Sequence, residues 1–151
     1  MSVIQNADYL SVLEQSGVLS FVPNGNSMWP FIKNRSQTVI IKKSTGVFKS
    51  KDVVFFRRED GSFVLHRVMQ VFPEYLIVKG DSQINPEKVD VNNVFGVLDG
   101  FYKGKKYIPV TDKKYQKKVD AWCKNTLLTR LRKKLFYFTN RLKRIFKKRD
   151  K

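Results

Sequence analysis

The sequence predicts a mainly β fold of ordinary domain size, followed by a basic helical tail. Between residues 18 and 110, short runs rich in β-branched and aromatic residues alternate with turn signals, which is typical of a small antiparallel β protein. From residue 113 onward glycine and proline are absent, and apolar residues recur at steps of three and four, which indicates an amphipathic helix. The predicted units are therefore residues 1–112 and residues 113–151.

The predicted elements of the β part follow the chain in order. A short helix is predicted over residues 6–15, where Asn6 can cap the first turn and Gly17 ends the last one. Asp60-Gly61 is a tight-turn signal and predicts a hairpin between two of the strands that follow. Seven strands are predicted from their β-branched and aromatic content: 18–22, 38–43, 52–58, 63–71, 75–81, 93–102 and 105–110.

The positive charge is concentrated in the tail. The whole chain carries 30 basic and 13 acidic side chains, a net charge of +17. Residues 1–112 contain 14 basic and 11 acidic side chains, a net of +3, whereas residues 113–151 contain 16 and 2, a net of +14. An excess of this size favours an anionic partner for the tail and says little about the fold.

Several classes of site and location are disfavoured by composition. A single cysteine, Cys123, and a single histidine, His66, exclude an intramolecular disulfide and a Cys/His zinc cluster, and no cofactor is predicted. The first residues have no basic start and include Asp8 and Glu14, so they do not resemble a secretory signal. No run approaches the ~18 apolar residues that a membrane-spanning helix needs. We therefore expect a cytoplasmic protein, with possible contact to a membrane surface.

Ser27 and His66 are the first candidates for chemistry. Each has a structural interpretation when taken alone, because serine is common in Gly/Asn turns and a single histidine in a strand is usually a packed side chain. A serine hydroxyl needs a base to become a good nucleophile, and neutral imidazole can serve near pH 7. Any Ser–His chemistry in this chain must use His66, because there is no second imidazole.

Five segments, in order, resemble the sequence boxes of the signal peptidase and LexA-type serine peptidases. Gly25-Asn26-Ser27-Met28-Trp29-Pro30 is similar to the Gly-x-Ser-Met-x-Pro box. Residues 52–56 resemble the strand that the family places next, and Leu65-His66-Arg67-Val68 resembles its second box. Lys79-Gly80-Asp81-Ser82 is similar to the Lys-Gly-Asp-Asn box, and Val94-Phe95-Gly96-Val97 to the closing Val-x-Gly-x strand.

The resemblance covers about residues 8–110 and implies the β-rich catalytic fold of that family. His66 stands where the common bacterial signal peptidases and LexA-type proteins carry lysine, so the chain resembles the Ser–His branch found in the endoplasmic reticulum and archaea. By this resemblance Ser27 is the nucleophile and His66 the general base. The backbone N–H groups of Ser27 and Met28 would form the oxyanion hole. Cleavage beside small residues would follow from the family's shallow substrate pocket.

The acid that would complete a triad has two candidates. Asp81 matches the Asp of the Lys-Gly-Asp box, and Glu87 stands where the family has a second Asp six residues later. A carboxylate in either place could orient the imidazole and stabilise its charged form. The structural alternative is that Asp81 caps a turn and Glu87 is a surface charge. Both assignments are open from the sequence.

The predicted function is that of a serine endopeptidase that cleaves a peptide or leader segment through an acyl-enzyme. The chain departs from the family in three places: Arg35-Ser36 replaces a usual Gly-Asp, Gly25 offers no extra hydroxyl to an oxyanion hole, and no N-terminal membrane anchor is expected. The secretory role is therefore not carried over. The alternative from another class is a non-catalytic protein that binds a membrane or partner and keeps the peptidase scaffold.

The tail has three interpretations. Its apolar stripe could pack on the β part, it could lie on an anionic membrane surface through residues 113–149, or it could bind nucleic acid. Phosphate binding alone would not require an aligned apolar stripe, so nucleic acid is the least favoured partner. The prediction is peripheral contact with the cytoplasmic face of a membrane.

Overall fold

A computed structural model describes residues 8–124 and divides the chain into two compact units, the first ending at Asp112 and the second beginning at Lys113. The described part of the first unit is mainly β, as predicted. A short 3-10 turn, Val91–Asn93, links its sixth and seventh strands. Its elements are α1 (Asp8–Ser16), β1 (Val18–Phe21), β2 (Val39–Lys43), β3 (Val53–Arg57), β4 (Phe63–Val71), β5 (Tyr75–Lys79), β6 (Glu87–Asp90), β7 (Val94–Lys103) and β8 (Lys106–Pro109).

The eight strands form one antiparallel sheet in the order β1-β2-β7-β3-β4-β5-β6, with β8 paired to β7. Register shifts interrupt the pairing of β2 with β7, β3 with β7 and β4 with β5. Irregularities of this kind bend strands and increase their twist. β3 is buried on both faces, because the side chains of Val53 to Phe56 are all at most 2% exposed. The middle of the sheet therefore has packed side chains on each side of it.

All seven predicted strands are present, with boundaries within two residues of the predicted ones. The helix predicted over residues 6–15 is observed as Asp8–Ser16, and its first two predicted residues lie outside the described part of the chain. The sequence missed β6, whose residues are Glu-Lys-Val-Asp. Only Val89 of this strand is buried, and it lies opposite Leu76 of β5. Four mostly charged residues carry no strand signal, so the pairing with β5 sets their conformation.

The second unit begins with the helix α2, Lys113–Lys124. Tyr115, Val119 and Trp122 are spaced by four and three residues, which puts them on one face of this helix. The rest of the helix predicted from residue 113 onward, and with it most of the tail's apolar stripe, lies outside the described residues. No helix within residues 8–124 has the length and apolar character needed to cross a membrane.

Candidate active site

Ser27 lies in a compact loop between β1 and β2. The N–H of Trp29 donates to the carbonyl of Asn26 at 3.1 Å, and the N–H of Ile32 donates to the carbonyl of Met28 at 3.0 Å. The Met28 and Ile32 side chains are buried and anchor this turn in the core. Ser27 itself is half-buried. The turn thus holds the serine at the surface on a backbone that the neighbouring apolar side chains fix.

A second loop, which follows β5, packs against the Ser27 loop and donates hydrogen bonds to its backbone. The N–H of Ser82 donates to the carbonyl of Ser27 at 2.8 Å, and Oγ of Ser82 donates to the carbonyl of Asn26 at 2.7 Å. A Cβ atom on Gly80 would come within 2.8 Å of the Ser27 carbonyl oxygen, which is closer than van der Waals contact allows. Glycine is therefore required at position 80 for the two loops to approach.

Asp81 is held in this supporting loop by Arg67 of β4. Nε and Nη2 of Arg67 donate to Oδ1 and Oδ2 of Asp81, each at 2.7 Å, and both side chains are almost fully buried. Nη1 of Arg67 also donates to the carbonyl of Lys51 at 2.9 Å, and the guanidinium lies over the ring of Phe31 at 5.2 Å. Both oxygens of Asp81 are thus engaged by an arginine that ties the supporting loop to the sheet.

His66 is fully buried on β4, opposite Val54 of β3 and edge-on to the ring of Phe56. Its Nδ1 lies in close contact with Oε1 of Glu87, and neither ring nitrogen makes a hydrogen bond of regular geometry with the described residues. Burial lowers the pKa of His66 below its ordinary value, and the opposing effect of Glu87 does not overcome it. The imidazole is therefore neutral at neutral pH, as a general base must be.

Glu87, at the start of β6, is the acid that contacts the histidine. Arg58, directly after β3, binds both oxygens of this carboxylate. Nε of Arg58 donates to Oε2 of Glu87, and Nη2 of Arg58 donates to Oε1, each at 2.8 Å. Burial alone would raise the pKa of Glu87, but the Arg58 hydrogen bonds and the neighbouring His66 hold this pKa below its ordinary value. The carboxylate is therefore ionised at neutral pH.

Arg58 is a residue of this site that sequence reasoning missed. It was visible only as the last residue of the predicted strand 52–58, beside the Asp-Gly hairpin. Its contact with Glu87 depends on β6, which the sequence did not predict. The pattern along the chain therefore carried no signal that position 58 and position 87 meet.

Ser27 and His66 line the same pocket, which has a volume of about 230 Å³. Arg58 and Gln83 contribute further polar groups to its lining. Two of the rings that line it are stacked, with the centroids of Phe55 and Phe63 5.1 Å apart. The apolar members of the lining include Phe21, Met28, Ile32, Phe55, Phe63 and Leu65. The pocket therefore combines polar groups, among them the Ser27 hydroxyl and the His66 imidazole, with a largely aromatic and aliphatic wall.

The backbone N–H groups of Ser27 and Met28 donate no hydrogen bond within the part of the chain that the structure describes. The carbonyl of Ser27, in contrast, accepts from both the N–H and the hydroxyl of Ser82. Two adjacent N–H donors beside a serine hydroxyl can stabilise an oxyanion that forms there. This is the position in which the sequence predicted an oxyanion hole.

The four predicted catalytic residues thus fall into two groups. Ser27, His66 and Glu87 share one pocket or contact one another, whereas Asp81 is paired with Arg67 behind the Ser27 loop. Within residues 8–124, no three or more His, Cys, Asp and Glu side chains are grouped so that they could hold a metal ion. The arrangement offers a hydroxyl, a neutral imidazole and an ionised carboxylate. The chain matches no protein-family model and no curated protein sequence.

Proposed function

We propose that the protein is a serine endopeptidase in which Ser27 is the nucleophile and His66 the general base. The observation that carries this proposal is the shared pocket of Ser27 and His66, with Nδ1 of the imidazole set against an ionised carboxylate. The resemblance of five segments to the Ser–His branch of the signal peptidase and LexA-type peptidases supports the same assignment. A neutral imidazole and a half-buried hydroxyl in one pocket are the groups that nucleophilic catalysis by serine needs.

The reaction proceeds through an acyl-enzyme. Oγ of Ser27 attacks the carbonyl carbon of the scissile peptide bond while Nε2 of His66 takes the hydroxyl proton. The N–H groups of Ser27 and Met28 donate to the oxyanion of the tetrahedral intermediate. The C–N bond then breaks, and the leaving amine takes the proton from His66. A water molecule then attacks the carbonyl carbon of the ester while the same imidazole takes one of its protons. The bond between this carbon and Oγ breaks, His66 returns the proton to Oγ of Ser27, and the second product leaves with a new carboxyl group.

Glu87 is the third member of this site in our proposal. Its ionised carboxylate stabilises the imidazolium that forms during each proton transfer, because opposite charges attract strongly in a buried site. Asp81 is assigned a supporting role, since Arg67 engages both of its oxygens and its loop holds the backbone of Ser27. The choice that the sequence left open is therefore made in favour of Glu87.

The apolar wall of the pocket predicts which substrate side chains the protein would favour. Phe21, Phe55 and Phe63 line the same pocket as Ser27, so a substrate side chain placed there meets aromatic carbon. We expect peptides with an apolar residue beside the scissile bond to be cleaved faster than peptides with a charged one. The expectation of small residues alone came only from the family's shallow pocket, and cleavage of an Ala, Leu and Asp peptide series separates the two.

The test of the proposal is covalent trapping with a fluorophosphonate. The wild-type protein should gain one adduct, located by mass spectrometry at Ser27, and Ser27→Ala should gain none while it stays folded. Ser20→Ala is the matched control, because it removes an exposed hydroxyl from nearby β1 and should leave labelling unchanged. A folded wild-type protein that takes no label and cleaves no peptide would establish the non-catalytic scaffold instead.

We propose further that the basic segment 113–149 holds the enzyme on the anionic cytoplasmic face of a membrane. The support is the net charge of +14 in residues 113–151, together with the apolar stripe in the same sequence. Each Lys or Arg near such a surface contributes on the order of 1 kcal/mol, and salt weakens that attraction. The full chain should sediment with anionic vesicles and less with neutral ones. Equal and negligible binding to both would contradict this location.

A further inference from the structure

The Glu87 carboxylate that faces His66 belongs to β6, a short strand at the edge of the sheet order. β6 is four residues long and is the last strand in the sheet order, paired only to β5 among the described strands. Its Glu87 side chain is about a third exposed. A glutamate has three rotatable side-chain bonds, and β6 itself does not fix them. Something other than the strand must therefore hold Oε1 against the imidazole.

Arg58 supplies this restraint from another part of the sheet. Its guanidinium makes a two-point contact with both oxygens of Glu87, and the oxygen that receives Nη2 is the same Oε1 that contacts Nδ1 of His66. A planar fork of this kind fixes both the position and the rotation of a carboxylate. The restraint comes from the residue directly after β3, a strand that is buried on both faces, and not from β6 itself.

The rotation of the carboxylate decides where the imidazole proton sits. An ionised carboxylate can only accept a hydrogen bond, so Nδ1 of a neutral His66 must carry the proton while it faces Glu87. Nε2 is then unprotonated and able to accept the proton of Ser27. Free imidazole side chains prefer the opposite tautomer, with the proton on Nε2, which is useless as a base for the serine.

We propose that Arg58 is a positioning residue that keeps His66 in the Nδ1–H tautomer by holding the Glu87 carboxylate against it. The catalytic consequence rests on the function proposed above, whereas the tautomer itself does not. Besides Glu87 from β6 and Arg58 after β3, the charged group that acts on His66 is Asp81 from the loop after β5, which Arg67 holds. Of these three groups only Glu87 contacts the imidazole, and Arg58 contacts Glu87.

The experiment uses the full-length protein with ¹⁵N-labelled histidine. Because His66 is the only histidine, its two imidazole nitrogen resonances need no further assignment. In the wild-type protein at neutral pH, Nδ1 should show the shift of a protonated nitrogen and Nε2 that of an unprotonated one. In Arg58→Gln the two shifts should move toward each other or exchange.

Arg57→Gln is the matched control. It removes the same charge one residue away, from an exposed arginine that lies over the ring of Phe95 and not on Glu87. Its imidazole shifts should equal those of the wild-type protein. If Arg58→Gln keeps the wild-type tautomer, or if Arg57→Gln loses it to the same extent, Arg58 does not position the pair and the inference is wrong.

A double-substitution cycle separates positioning from a loss of folding. With Glu87→Gln already present, replacing Arg58 should change the tautomer no further, because the carboxylate through which it acts has gone. Arg58→Lys keeps the charge but loses the fork, and should fall between the wild-type protein and Arg58→Gln. A full additional change on the Glu87→Gln background would show that Arg58 acts by another route and would overturn the inference.

Kinetics on a cleaved peptide supply the second readout. Arg58→Gln should lower kcat by about 10- to 100-fold, the usual effect of losing a partner that orients a histidine, with little change in KM. A raised KM with an unchanged kcat and an unchanged tautomer would make Arg58 a substrate contact instead. A tautomer that responds as expected in a protein that cleaves nothing would leave this inference intact and contradict the peptidase.

Discussion

The first unit contains two arginine–carboxylate pairs of the same two-point geometry, Arg67–Asp81 and Arg58–Glu87. The donor–acceptor distances are 2.7 Å in the first and 2.8 Å in the second. The two differ in their surroundings. The side chains of Arg67 and Asp81 are 2% and 3% exposed, whereas those of Arg58 and Glu87 are 38% and 29% exposed.

This difference separates a structural pair from the pair to which we assign a role in the proposed reaction. Arg67 and Asp81 also join backbone segments, since Arg67 reaches the Lys51 carbonyl and Asp81 lies in the loop that supports Ser27. Glu87 instead contacts the histidine, and Arg58, which holds Glu87, lines the pocket that Ser27 and His66 share. Removing the partner of a buried charge lowers the free energy of unfolding strongly. Removing the partner of a partly exposed charge lowers it less, because water can solvate the remaining charge. Breaking the Arg67–Asp81 pair should therefore lower stability more than breaking the Arg58–Glu87 pair.

The largest effect expected is on stability, from Asp81→Asn. The substitution leaves the buried guanidinium of Arg67 without a counter-charge, and breaking such a pair typically costs about 3–5 kcal/mol. Urea unfolding followed by circular dichroism measures the loss. Glu87→Gln is the comparison and should cost no more than about 1 kcal/mol. Equal losses in the two variants would remove the distinction between the pairs.

Glu87→Gln should instead lower the rate of peptide cleavage. The amide cannot stabilise an imidazolium as a carboxylate does, so kcat should fall by about 100-fold or more with KM little changed. The measurement is cleavage of a short peptide by protein that is shown to be folded. Asp81→Asn, assayed at a temperature at which it remains folded, should retain more activity than Glu87→Gln. The reverse order would assign the working acid to Asp81.

The smallest effect expected is a pH dependence of stability that comes from His66. Because its pKa is lower in the folded protein, the unfolded chain binds a proton first as the pH falls below about 6.5. Stability is therefore full above that pH and declines toward pH 5, by at most about 1.4 kcal/mol per pH unit. His66→Gln should lack this decline between pH 6.5 and 5. An identical slope in both proteins would contradict the lowered pKa.

Much of the site is readable along the chain because its parts lie on locally encoded elements. Ser27 sits in a turn made by Pro23, Gly25 and Asn26, and His66 sits in a strand that pattern alone predicts with its observed boundaries. The supporting role of Gly80 was not readable, because it depends on the approach of the Ser27 carbonyl from another loop. Residue types at short spacing thus located the candidates but not their supports.

The sequence by itself determined a mainly β unit with one helix before it, a basic segment after it, and a single imidazole available for chemistry. β-branched and aromatic runs, turn residues and the single His66 suffice for this, because each is a local property. Only the tertiary structure decided which acid faces the imidazole. Glu87 lies on a strand formed by pairing with β5, and Arg58 reaches it from the end of β3. Long-range pairing leaves no periodicity in four charged residues, so this contact becomes visible only when the sheet is assembled.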